Sequence, residues 1–359
     1  MHRRQFHRHA VAAWAALTAS GLQPVRAAAV KQKIRIGQIG VAHAHASGKL
    51  EAIRKLSDDF EVVGVVEPDA ALRKSHEGLE PYNDLKWMTE EELLNSPGLK
   101  AVVVETRVRD LVPTALRCVK AGMHIHLDKP AGESLPAVVA LHNEAKRQNV
   151  TIQMGYMLRY NPAFQALFAA AREGLLGEIF EVHAVMSKVI DGKNREKLAE
   201  YRGGAMFELG CHVIDQVVTL LGKPEEVAAF GRQVRTEVDS QIDNQLAVMK
   251  YAKATATVNA SMLEVDGGAR RQFVVCGTKG TFEIKPLEPP QAQAFFTEAH
   301  SPYRKGRQTL DLPKMSGRYD GEFADLAAVI RGEKPFAWSH EHDVAAHEAI
   351  LRASGLPVG

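Results

Sequence analysis

Between Lys33 and about Gly155 short apolar runs alternate with amphipathic stretches. Ile34–Ile39, Phe60–Val66, Ala101–Val104, His124–Leu127 and Val150–Met154 are mostly apolar and β-branched, without polar alternation. That is the pattern of strands buried on both faces. Leu111–Ala121 and Leu135–Arg147 read as helices between them, and Thr89-Glu90-Glu91-Glu92 has the spacing of a capping box that opens a shorter one. Buried strands joined by helices predict a doubly wound parallel α/β sheet, whose ligand crevice lies outside the carboxyl ends of the strands.

After Gly155 the rhythm changes. Asn161-Pro162 is a helix start, with Asn as cap and Pro at the first helical position. A strand at Ile179–Val185 and a long helix from about Gly204 to Leu221 follow. Then come strand candidates Glu226–Val234, Gln245–Tyr251, Thr255–Leu263, Gln272–Cys276 and Thr281–Ile284, separated by turns such as Asp266-Gly267-Gly268. Strands joined by short turns predict an antiparallel sheet. Two amphipathic helices, near Gly321–Arg331 and His342–Arg352, close the chain. The expected organisation is a dinucleotide-binding domain over 30–155 and an α+β domain with a large, mainly antiparallel sheet over 156–359.

Residues 1–29 read as an address. A basic stretch, an Ala-rich apolar run at Ala10–Leu22 and small residues at Ala27-Ala28-Ala29 form a signal peptide, and Arg3-Arg4-Gln5-Phe6 resembles the twin-arginine type that exports folded proteins. This segment also distorts the charge balance. The whole chain has 359 residues and a net charge of +2, but four of its arginines and none of its acids lie in the first 29 positions. The remainder is slightly acidic and offers no electrostatic footprint for nucleic acid. No apolar run approaches the roughly 20 residues of a membrane-spanning helix. Three cysteines, Cys118, Cys211 and Cys276, make no disulfide framework and fall inside predicted helices or strands, where a thiol packs as a small hydrophobe.

Chemistry concentrates in four places. The first strand runs into Gly37-Gln38-Ile39-Gly40-Val41-Ala42-His43-Ala44-His45, where glycines let a backbone approach a pyrophosphate. Gly40 fits the first position of that fingerprint, while Ala42 and His45 replace the second and third glycines. Glu67, ending the second strand, suits a ribose 2′-hydroxyl and repels an added phosphate, which favours NAD over NADP. His43 and His45 fit polar contacts, a phosphate or a metal. Second, His124-Ile125-His126-Leu127-Asp128-Lys129-Pro130 ends a strand at the crevice, where an ammonium can hold a reacting oxygen. Third, on the long helix Glu208 and His212 are i, i+4 neighbours and Asp215 follows at i+3, so an α-helix puts all three on one face. A histidine suits the transfer of a hydroxyl proton. Fourth, Gly155-Tyr156-Met157-Leu158-Arg159-Tyr160-Asn161-Pro162 lies where one domain hands over to the next. His124 with His126 on one strand face, and Glu208 with His212, leave a metal site as another reading.

Taken in order, these segments resemble the glucose-fructose oxidoreductase, inositol dehydrogenase and MocA family, from about Lys33 to Leu351. Asp128-Lys129-Pro130 matches the family's Glu-Lys-Pro, and Glu208-Leu209-Gly210-Cys211-His212-Val213-Ile214-Asp215 matches its Asp-x-Gly-x-His-x-x-Asp helix. Gly174-Leu175-Leu176-Gly177 and Cys276-Gly277-Thr278-Lys279-Gly280-Thr281 are further landmarks. The resemblance implies a Rossmann fold, catalysis by Lys129 and His212 with Glu208, and cofactor contacts from Gly40, Val41, Ala42, Glu67, Thr106, Asp128 and Lys129. It implies substrate contacts from Tyr156, Arg159, Glu208, His212 and Asp215, no metal, and a homodimer or homotetramer formed through the open sheet face. Asp128 and Glu208 exchange the two acids of the family pattern. The usual Thr-Pro-Asn reads Thr106-Arg107-Val108, and the histidine after it is Leu111.

The expected activity is hydride exchange between a nicotinamide and a secondary alcohol or ketone of a sugar or polyol. An exported enzyme finds little free nicotinamide, so its NAD is expected to be tightly bound and regenerated in place. Two alternatives use the same residues: a redox-neutral lyase, epimerase or glycoside-cleaving enzyme that oxidises a ring hydroxyl transiently, and a non-catalytic sugar-binding protein.

Overall fold

The computed structural model describes residues 31–359, and the signal peptide read at 1–29 lies outside the described residues. The first strands are β1 (Ile34–Ile39), β2 (Phe60–Val66), β3 (Leu99–Val104), β4 (His124–Leu127) and β5 (Ile152–Met154). All pair in parallel, in the order β2-β1-β3-β4-β5. Their continuous apolar runs are accounted for by helices on both faces: α1 (Ala46–Lys55), α2 (Ala70–His76), α3 (Glu90–Leu94), α4 (Val108–Lys120) and α5 (Leu135–Gln148). The capping box forms as expected: Thr89 Oγ1 accepts from Glu92 N, and Glu92 Oε2 accepts from Thr89 N.

The chain then turns through Met157–Tyr160 into α6 (Pro162–Arg172), with Asn161 Oδ1 accepting from Ala163 N at the start. Strand β6 (Ile179–Val185) follows, then α7 (Gly192–Leu198), a π-helical turn at Met206–Gly210 and α8 (Cys211–Leu221). Next are β7 (Glu226–Arg232), β8 (Asn244–Lys250), β9 (Thr255–Ser261), the short α9 (Gly267–Arg270), β10 (Gln272–Gly277) and β11 (Gly280–Ile284). Two strands the periodicity did not predict, β12 (Ala292–Phe296) and β13 (Gly306–Thr309), extend the sheet at its edge. Helices α10 (Asp320–Ile330) and α11 (His340–Ala353) end the chain.

The second sheet has eight strands in the order β13-β12-β11-β10-β6-β9-β8-β7. It is antiparallel except for the β6–β9 pair, which runs parallel. Its strands alternate buried and less buried residues, as β8 and β12 show, because one face packs and the other is open. A single apolar cluster runs from Val102 and Leu127 of the first sheet through Phe164 and Val213 to Phe282 of the second. Residues 33–359 therefore pack as one unit. Among the described residues, no helix is long and apolar enough to cross a membrane.

Candidate active site

The crevice at the carboxyl ends of β1 and β2 begins with Gly40. Its φ is +91°, and a Cβ there would sit 2.6 Å from Thr106 N. Only glycine lets the β1 and β3 loops touch this way. Val41 N donates to Glu67 Oε2 (3.0 Å), and Asp69 N donates to Glu67 Oε1 (3.0 Å), so Glu67 also ties the ends of β1 and β2 together. A cleft of about 650 Å³ opens beside them, lined by Gly40, Ala42, Glu67, Arg73, Trp87 and Thr106 among others. Helix α1 points its N-terminus from the same loop and has no acid in its first turn. A glycine held against a neighbouring backbone, an acid-free helix start and a cleft of this size fit a dinucleotide.

Beneath that loop lies a charge cluster that sequence reasoning missed. Lys49, on α1, is fully buried. Its ammonium stands 3.0 Å from Asp128 Oδ2 and 3.4 Å from Glu105 Oε1, and it donates to His126 Nε2 at 2.8 Å. His43 and His45 both turn Nδ1 to Asp128 Oδ2, at 2.9 and 3.0 Å. The position where the fingerprint expects a third glycine is thus filled by an imidazole folded back onto a buried carboxylate. Burial alone would raise the pKa of Asp128, but His43 and Lys49 hold it well below the carboxylate range. Burial and the charge of Asp128 push Glu105 well above that range. Burial also takes the His45 imidazole down to about 4, against the pull of Asp128.

Asp128 itself is fully enclosed and its oxygens are taken, so it supports Lys129 from behind and lies away from the cleft surface. His126 is spent between Lys49 and Gln153, and His124 accepts from Thr151 N. These two histidines do not meet Glu208 and His212. His43, His45 and Asp128 do bring ligand-type atoms within 4.8 Å of one another. The Lys49 ammonium on the same carboxylate already supplies the positive charge a cation would bring.

The two sheets meet chemically at Lys129. Its side chain is 1% exposed, and Nζ donates to both the main-chain oxygen and Oε1 of Glu208, each at 3.1 Å. Burial would lower the lysine, but the Glu208 carboxylate outweighs it and raises it. Glu208 Oε2 accepts from Tyr201 Oη at 2.6 Å. Tyr201 carried no signal in the sequence, because a tyrosine before a glycine pair looks like a loop residue. Burial would raise Glu208, yet Lys129 and Tyr201 bring it below its ordinary value.

The expectation of one continuous α-helix fails here, since Met206–Gly210 is π-helical and α8 starts at Cys211. The wider turn changes the phase between Glu208 and the residues that follow. Glu208 faces Lys129 and Tyr201, and Asp215 faces an entirely different set. His212 lies one turn on from Glu208, 4% exposed, with the edge of the Tyr156 ring 6.4 Å away between centroids. Its Nδ1 has no hydrogen-bond partner. Burial, and next the charge of Lys129, hold this imidazole well below its usual pKa, so it is neutral. Cys211 gives its thiol to the Glu208 main-chain oxygen at 3.3 Å, and burial pushes it up to about 12, so it packs as expected.

Arg159 and Asp215 stand apart from this group. Arg159 is fully buried, bidentate to Asp215 (2.9 and 2.6 Å), also bound to Asp343 (2.6 Å), and lies over the Trp338 ring. His342 Nε2 approaches Asp215 as well, at 3.2 Å. This knot fastens the Met157–Tyr160 turn to α8 and α11, behind Tyr156 and His212. Both Asp215 oxygens are engaged, while Arg159 Nη1 is buried without a hydrogen-bond partner among the described residues.

Two family models match the chain one after the other. The "oxidoreductase family, NAD-binding Rossmann fold" matches residues 34–156, and the "GFO/IDH/MocA C-terminal domain" matches 164–283. An uncharacterized oxidoreductase of Escherichia coli K12, YhhX, is 30% identical over 193 residues, 54% of either chain. The scyllo-inositol 2-dehydrogenase (NADP(+)) IolW of Bacillus subtilis is 22% identical over 259 residues, 67% of this chain and 72% of the relative. The chain spans just over half the length of the first curated relatives it matches. Among solved structures, the UDP-N-acetylglucosamine 3-dehydrogenase GnnA of Acidithiobacillus ferrooxidans superposes with a TM-score of 0.74 at 19% identity, over 90% of this chain and 97% of that one. A parallel sheet with a dinucleotide crevice, an eight-stranded second sheet and matches to both family models give one conclusion: the chain is a member of the GFO/IDH/MocA oxidoreductase family.

Proposed function

We propose that this oxidoreductase moves a hydride between a bound nicotinamide and a secondary alcohol or ketone of a sugar or polyol. The observation that carries the reading is the meeting of the Lys129 ammonium, from the end of β4, with Glu208, one turn before His212, whose imidazole feels the Lys129 charge. Gly40, Ala42, Glu67 and Thr106 would hold the dinucleotide, which supplies hydride exchange at the carbinol carbon. Glu67, which lines the crevice beside Gly40, supports NAD over NADP because its carboxylate would repel an added ribose phosphate.

The chain's own groups manage the oxygen and its proton. Lys129 holds the carbinol oxygen and stabilises charge developing on it. His212, neutral through burial, takes the hydroxyl proton on oxidation and returns it on reduction. Glu208, fixed by Lys129 and Tyr201, accepts from a neighbouring hydroxyl and orients the ammonium. The buried Tyr156 ring packs against the imidazole at a near right angle. Exported by the leader read at 1–29, the enzyme would keep its cofactor through many cycles. Self-association through the open face of the second sheet belongs to the same proposal.

The test is a 340 nm assay on the cofactor-loaded protein with a panel of aldoses, inositols and their oxidised forms. Lys129→Met and His212→Gln are each expected to lower kcat by on the order of 10²-fold or more. Full turnover by Lys129→Met would overturn the assignment. A cleaved or inverted sugar with no net absorbance change would shift it to transient oxidation.

A further inference from the structure

We propose that the substrate carries an anionic group, a carboxylate or a phosphate, seated on a cationic rim formed by Lys188, Arg271 and Arg318. The inference rests on the hydride-transfer reading for where the carbinol lies, and names the class of substrate that site takes.

The rim is continuous with the chemical site. Tyr156, whose ring edge meets His212, is followed by Met157, and Arg318 Nε lies 2.9 Å from Met157 Sδ. Arg318 donates to Glu288 Oε2 at 2.8 Å, and Arg271 Nη1 stands 3.6 Å from the same oxygen. Arg271 Nε donates to the main-chain oxygen of Ser187 at 3.1 Å, which places the guanidinium beside Lys188 in the chain. The three side chains come from the segment after β6, the residue before β10 and the loop before α10. No local regularity of one element put them together.

The charge does not balance. Arg271 and Arg318 share one carboxylate, and the Lys188 ammonium makes no hydrogen bond or close ion pair among the described residues. Glu264, the other acid on this side, is taken by Arg270. Three cations therefore face one acid. Deeper in, Lys129 and Glu208 cancel each other. Partial burial comes first in pushing the Lys188 ammonium below its usual pKa. Glu208 opposes this, and the like charges of Arg271, Lys129 and Arg318 add to it. Arg318 likewise contributes to the depression of His212, so its charge is felt at the reacting end. Such an excess costs stability in the free protein, and an anion relieves it.

The donor set narrows the choice. Neutral sugars are gripped by groups that both donate and accept, whereas this rim offers donors, two of them guanidinium forks that match planar or tetrahedral oxyanions. A substrate with its carbinol between Lys129 and His212 and an oxyanion on the rim uses both ends of the site. A hexuronate and a hexose phosphate share that chemistry.

The cofactor-loaded full chain is assayed with glucose, glucuronate and glucose 6-phosphate, and thermal stabilisation is measured with the same three and with inorganic phosphate. One of the charged sugars should exceed glucose in kcat/KM by about tenfold or more, the size expected of a charge-assisted contact. Which one it is distinguishes carboxylate from phosphate. Lys188→Gln, which breaks no side-chain hydrogen bond or close ion pair, and Arg271→Gln should each reduce the charged-to-neutral ratio by about tenfold. The ratio should also fall with added salt. Equal turnover of glucose and both anions, or a ratio that neither substitution changes, overturns the proposal and leaves hydride transfer standing. Stabilisation by the anions that Lys188→Gln abolishes, with no absorbance change for any sugar, supports the rim and removes the hydride reading.

Discussion

Replacing Lys49 with Met tests the buried cluster most directly. The substitution keeps the length of the side chain and removes an ammonium that stands 3.0 Å from Asp128, 3.4 Å from Glu105 and 2.8 Å from His126. All four residues are fully buried, so water cannot replace the lost charge. Breaking a buried pair from one side costs about 3–5 kcal/mol, because the partner charge is left uncompensated. Glu322 adds to the problem, since burial has already raised its pKa to about 8. The cost should shrink in acid, where Asp128, no longer held low by the Lys49 ammonium, can take a proton. Urea unfolding of Lys49→Met and wild type at pH 8 and pH 6 measures this, and the gap should be larger at pH 8. Adding Asp128→Asn, which removes the stranded carboxylate, should return part of the loss without restoring the ammonium. A variant as stable as wild type at pH 8, or one whose deficit grows in acid, would refute the charge argument.

Gly40→Ala should cost about 1–3 kcal/mol, since φ is +91° and the new Cβ meets the immovable backbone of Glu105 and Thr106. Fluorescence titration should show weakened NAD binding in the folded variant. Tyr201→Phe removes the 2.6 Å donor to Glu208 and should lower kcat/KM by about ten- to a hundredfold with a small change in Tm. His347 is buried and taken down to about 4 by that burial. The unfolded chain protonates it near 6.5, so the wild type loses stability as pH falls from 6.5 to 4, by about 3 kcal/mol from this group. In His347→Leu that loss is absent, so urea unfolding at pH 7.5 and 4.5 should show the variant gaining on wild type in acid.

The first sheet was legible because its strands are mostly buried, which leaves short, mainly apolar runs flanked by helical periods. The pairing of Lys129 with Glu208 was legible because the crevice rule and the Asp-Lys-Pro and Glu-x-x-x-His segments pointed to the same place. The phase change at Met206–Gly210 left no trace, since apolar residues occupy both the α and the π register there. Lys49 was hidden for another reason. A single lysine on an amphipathic helix reads as solvated, and only the fold brings Asp128 and Glu105 beneath it. Arg159 and Asp215 were noticed but given a ligand to hold. Each is the other's partner across 56 positions of chain, and pairing at that distance has no local signature.

The π turn lets one helix serve two masters. Its front half presents a carboxylate to the lysine, while its rear half locks into the arginine knot that anchors the last helix. Deleting one residue to restore an even α-helical repeat would swing everything on one side of the cut by about 100° relative to the other. Either the ammonium would lose its seat or the knot would come undone. The irregularity is therefore the joint that keeps the Lys129–Glu208 pair and the scaffold in register, and efforts to stabilise this protein by smoothing that helix should fail.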